Sequence, residues 1–123
     1  MLDETRILDH FAEQAGWCED LGSPFTSALL RQLADDFAAG GPVADICRDW
    51  TGNPRKDALG LRLAGVLHHA VLTGAAPALA ATYPAHVAEW KMEAVWAEAR
   101  PWLAAHIPDV RTFLKSPPQT NET

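Results

Sequence analysis

Apolar side chains recur at three- and four-residue intervals along almost the whole chain, and nowhere do they alternate with polar ones over the roughly four to eight residues of a half-buried strand. That periodicity gathers them on one side of an α-helix, so the chain is confined to helices that must pack on one another. The first stripe, within residues 5–21, runs through Ile7, Leu8, Phe11, Ala15 and Cys18. Gly22 follows as a carboxyl-terminal cap, and Ser23-Pro24 reads as an N-cap and a proline in the first turn, where its missing N–H costs nothing. The second helix begins there, with Phe25, Leu29, Leu30, Leu33 and Phe37 on one arc and Ser27, Arg31 and Asp35 on the solvent side.

Glycine and proline punctuate the rest. Gly40-Gly41-Pro42 opens a short helix that should bury Val43, Ile46, Cys47 and Trp50, and Thr51 to Pro54 closes it. Asp57 to Thr73 has apolar residues round most of its circumference, which predicts a central helix. Gly74 ends it, Pro77 to Thr82 forms a short helix, and Tyr83-Pro84 closes that. A further helix is expected from His86 to Arg100, bent or ended near Pro101, with a last short one from Pro108 through Leu114. The expected fold is all-α, an irregular or orthogonal bundle of five to seven helices over residues 1–115. Residues 116–123, SPPQTNET, form an extended proline-rich tail or a linker to a second domain.

Of 123 residues, 48% are hydrophobic, yet no apolar run approaches the ~18 residues of a membrane span. The start, MLDETRILDHF, is acidic where a secretory signal is basic, so a cytoplasmic protein is expected. Net charge is −6, with ten acids and three bases in residues 1–50 against six and seven in residues 51–123. That balance argues against nucleic acid and against an anionic membrane surface as partners, since both are bound through basic side chains. Cys18 and Cys47 form no CxxC pair and read as core thiols.

Chemistry-bearing residues are few. In His68-His69, His69 shares a face with Arg55, Arg62 and Thr73, a solvated edge, while His68 points toward Leu61, Ala64 and Leu72. His68 is then either a core histidine with a hydrogen-bond partner or a functional one. His86, Glu89 and Glu93 at i, i+3 and i+7 imitate a helical metal site, but no second helix supplies matching ligands, so surface charge is the reading and no metal is expected. Asn53-Pro54-Arg55-Lys56 before a helix is either an anion site or a turn with solvated cations. No serine has an activating neighbourhood, and Gly-Gly-Pro at 40–42 lacks the strand and lysine of a phosphate loop. No catalytic residue and no cofactor is assigned to this chain. Five tryptophans stand out, three of them (Trp90, Trp96, Trp102) at six-residue steps in the carboxyl-terminal helices; Trp90 and Trp96 fall on two apolar faces, so either both faces are internal to the bundle or one is a candidate interface with another domain or a second copy.

The segments LGSPFTSALLRQLADDFAAGGP (21–42), LRLAGVLHHAVLTGAAPALAATYP (61–84) and SPPQTNE (116–122) resemble the amino-terminal region of the bacterial family called domain of unknown function 2332. The most specific part is PPQTNE. The resemblance implies a helical region leading into a second region with a glycine-rich segment like that of S-adenosylmethionine-dependent methyltransferases. The sequence stops at Thr123, before any such segment, so cofactor binding does not carry over. The matching positions are Arg62, His68, Tyr83, Pro117, Pro118, Gln119, Thr120, Asn121 and Glu122, which suit a binding or interdomain role; the last six are either cleft-lining or a simple linker. Three functions compete: an accessory region of a methyltransferase-like protein with no catalytic site of its own, a self-contained interaction or homodimerisation module, and a small helical metal-binding protein.

Overall fold

The computed structural model describes residues 4–20, 22, 24–47, 58–83 and 89–115. They form seven helices and no strand: α1 (Glu4–Asp20), α2 (Pro24–Ala38), α3 (Pro42–Cys47), α4 (Leu59–Leu72), α5 (Pro77–Ala80), α6 (Met92–Ala105) and α7 (Ile107–Lys115). The helix ends follow the sequence punctuation. Gly22 and Gly74 adopt left-handed φ values of 85° and 80°, a conformation in which glycine has no Cβ penalty, just beyond α1 and α4.

α2 packs on α1, α3, α4 and α6, and α4 on α1, α2, α5 and α7. Between them lies one core in which Ile7, Phe11, Leu30, Leu33, Val43, Leu59, Leu63, Leu67, Val95, Ala99 and Leu103 are fully enclosed. Each such leucine or phenylalanine contributes roughly 1.5–3 kcal/mol through removal from water. With α2 walled on several sides, short polar side chains go inside as well. Ser27, expected at the surface, is buried, and so is Asp36.

Asp36 ends up inside because it has work at three elements. Its Oδ2 accepts the Val43 N–H at 2.8 Å and so caps α3, and its Oδ1 accepts from Arg100 Nε of α6 at 3.2 Å. A Cβ on Gly41 would overlap that carboxylate, so only glycine fits this approach. A second clasp joins α1 to α4. The first turn of α4 has no cap of its own, Ala58 being left-handed (φ 52°) with no side-chain bond to the helix. Instead the Gly60 N–H donates to His10 Nε2 at 2.9 Å and the Leu61 N–H to Gln14 Oε1 at 3.1 Å. These satisfy two of the four amides a helix start leaves open.

Three further expectations are corrected. α4 is not enclosed all round: Leu61 and Leu72 are 41% and 68% exposed, because its neighbours cover only the side bearing Leu59, Leu63, Val66, Leu67 and Val71. His68 lies on that open side and is no core histidine. α6 begins at Met92, with Glu89 to Lys91 non-helical, since Lys91 is extended (φ −126°, ψ 125°); the helix then runs on through Pro101 to Ala105. Trp90 and Trp96 therefore do not share a helix, and the four-residue step from Glu89 to Glu93 is not a helical one. His86, Trp50, Ser23 and the segment Asn53 to Lys56 lie outside the described residues.

Candidate functional site

Two of the matched residues come together. Tyr83, just beyond α5, is buried, with its ring 6.0 Å from that of His68 on α4. Phe25 of α2 meets the Tyr83 ring edge-on at 4.9 Å and the Trp90 ring at 5.1 Å and 84°. The result is an aromatic file, His68, Tyr83, Phe25, Trp90, with its histidine end in solvent. Edge-to-face contacts at such separations are favourable because a positive ring edge meets a negative face. Burial pushes the Tyr83 hydroxyl up to about 12, further from ionisation than an exposed tyrosine.

Arg62 is not part of this file. Its Nη1 crosses to α7 and donates to the Leu114 carbonyl at 2.9 Å, one of the acceptors a helix end leaves without an internal partner. The guanidinium thus fixes the end of α7, and the stretch Pro117 to Glu122 beyond it lies outside the described residues.

The other two tryptophans are on α6. Trp96 is half-buried against the core. Trp102, also half-buried, is braced twice: its Nε1–H donates to the Ala75 carbonyl at 3.4 Å, and its ring stacks on His106 at 4.3 Å and 21°. His106 in turn donates from Nδ1 to the Trp102 carbonyl at 2.7 Å. The indole so held forms one wall of an open groove of about 250 Å³ between α5 and α6, whose other walls include Pro77, Leu79 and Pro101 and whose one ionisable residue is Glu98. Volumes of about 300 Å³ and more are usual for small-molecule sites. This groove is smaller, mostly apolar and open at the surface.

Among the described residues no three His, Cys, Asp or Glu side chains lie together in a way that could hold a metal ion. Cys47 is buried, with its thiol pushed up to about 12 by burial, and Cys18 is half-buried; both are free. No described helix is long and apolar enough to cross a membrane.

Sequence reasoning overlooked His10 and Gln14. Their positions carried a signal: both fall on the apolar stripe of α1, three residues after Ile7 and Phe11, where a polar side chain must find a partner. It also overlooked the groove, whose lining comes from α5 and α6 and whose residues are unremarkable one by one.

No curated protein and no solved structure matches the chain. The model of one bacterial family does, described as an uncharacterized protein conserved in bacteria (DUF2332), over residues 8–123. That match takes in the two clasps, the aromatic file, the groove and the tail motif alike, and the chain belongs to this family.

Proposed function

We propose that this chain is a helical accessory domain of a methyltransferase-like bacterial protein, a surface that receives and orders a second region without contributing catalytic groups. The observation that carries the reading is the α5–α6 groove. Its indole wall contacts the Ala75 carbonyl and stacks on His106, and around it stand prolines, alanines, a leucine and a single carboxylate, suited to docking and not to bond-making. The reactive side chains elsewhere are occupied structurally or isolated. Arg62 closes α7, Tyr83 is buried, and His68 faces solvent. Any S-adenosylmethionine would be held by the second region, with Pro117 to Glu122 as the connection and cleft edge. A cytoplasmic location fits the two free cysteines, which a reducing compartment preserves.

Hydrogen exchange tests the docking. In a longer family protein carrying the second region, the amides of Ala75 to Ala80 and Glu98 to Leu103 should exchange at least tenfold more slowly than in the 123-residue chain. Equal exchange in the two would overturn the reading. Trp102→Ala should cancel the difference while leaving the helical signal intact.

A further inference from the structure

The open side of α4 carries Leu61, Gly65, His68 and Leu72, at steps of four, three and four residues, which puts all four in one stripe on a helix of 3.6 residues per turn. These are the steps of a coiled-coil seam. The two leucines are among the most exposed large apolar side chains described, and a Cβ at Gly65 would meet no atom within 4 Å. Phe113 of α7, 49% exposed, extends the apolar surface beyond His69, whose ring lies 6.0 Å from its own.

The stripe is symmetric about its own midpoint. Leu61 and Leu72 lie equally far from the Val66–Leu67 peptide bond, and so do Gly65 and His68. An antiparallel copy of the helix therefore sets Leu61 against the partner's Leu72 and fits the notch at Gly65 to the imidazole of the partner's His68. Each contact is made twice, as a two-fold interface requires, whereas a foreign helix would need no such palindrome. Charge points the same way. The chain carries −6, yet α4 contains no Asp or Glu, so here two acidic molecules can meet without opposing carboxylates.

We infer that two copies of this chain associate antiparallel through α4, with Leu61, Gly65, His68 and Leu72 forming a self-complementary seam. The area sets the strength. A stripe about 16 Å long on a helix about 10–12 Å wide covers on the order of 200 Å² per partner. Even widened by Phe113 that is well below the ~800 Å² of a standard stable interface, so the dimer is weak and concentration-dependent. This inference is carried by other residues than the α5–α6 groove and stands or falls separately from the accessory reading.

Sedimentation of the chain from about 5 μM to about 1 mM, a span that brackets weak association, should show the mass rising from 13.4 kDa toward twice that value. Gly65→Gln places its side chain in open space in the monomer, so it should weaken association at least tenfold without lowering the unfolding midpoint. In a Cys18→Ala background, oxidising a mixture of Leu61→Cys and Leu72→Cys chains should give disulfides between unlike chains, ahead of those between like chains. A constant monomer mass, a dimer indifferent to Gly65→Gln, or preferential like-with-like disulfides would each overturn the inference, including the case in which another partner occupies the stripe.

Discussion

At the scale of single residues, Gly60 is one of two described glycines whose place no larger residue can take without a shift of its neighbours. A Cβ there would lie 2.8 Å from Gln14 Oε1 and 2.8 Å from Phe11 Cδ1, inside the clasp that caps α4. Neither neighbour can yield freely, since Phe11 is fully buried and Gln14 is bonded to the Leu61 N–H. Gly60→Ala should therefore cost about 1–3 kcal/mol in urea unfolding, the usual penalty for overpacking, although an alanine normally strengthens a helix. His10 gives the clasp a pH dependence. Its Nε2 accepts the Gly60 N–H only when unprotonated, and burial lowers its pKa below the usual 6.5, Glu13 opposing this in part. The unfolded chain then binds the proton more readily, so the contribution is fully present above about pH 6.5 and is lost as pH falls toward the lowered folded value. Unfolding midpoints followed from about pH 8 to pH 5 should drop less steeply in His10→Gln than in the parent. An identical slope would remove His10 from the account. Neither residue's role was legible in the sequence, because each acts on an amide about fifty positions away. All that the sequence offered was a histidine and a glutamine on an apolar stripe.

At the scale of elements, boundaries were legible wherever backbone chemistry set them. Gly22, Pro24, the Gly40-Gly41-Pro42 break, Gly74 and Pro77 fix helix ends by conformations that other residues adopt less readily. The start of α6 was misplaced because an ordinary lysine in extended backbone stops the helix, and nothing in its identity announces that. α3 shows what a short element needs. Six residues cannot sustain a helix alone, and its first turn depends on the Asp36 carboxylate. Asp36→Ala should destabilise the fold by about 1–3 kcal/mol through the unsatisfied Val43 N–H, and unfold α3 first in amide exchange. Arg100→Ala, which removes a half-exposed partner of the same carboxylate, should cost less than about 1 kcal/mol. Equal losses for the two variants would mean that the ion pair, not the cap, is what holds α3.

At the scale of the whole molecule, the helical class and the family were legible, and the surface was not. Periodicity tells which residues of a helix are apolar, but which of them stay in water depends on where the other helices pack. α4 shows the difference: its sequence is apolar nearly all round, and its structure leaves Leu61 and Leu72 outside. The tryptophans show the converse, for Trp96 and Trp102 are half-buried and Trp102 serves as the braced wall of a groove lined by residues 75–79 with Glu98 and Pro101. What results is a fold with a groove between α5 and α6 and an open apolar face on α4, and the accessory role proposed above rests on the groove. Calorimetric titration with S-adenosylmethionine tests that assignment most directly. A longer family protein carrying the second region should bind one equivalent, and the 123-residue chain should give no heat beyond dilution; binding by the chain alone, or by neither, would contradict it.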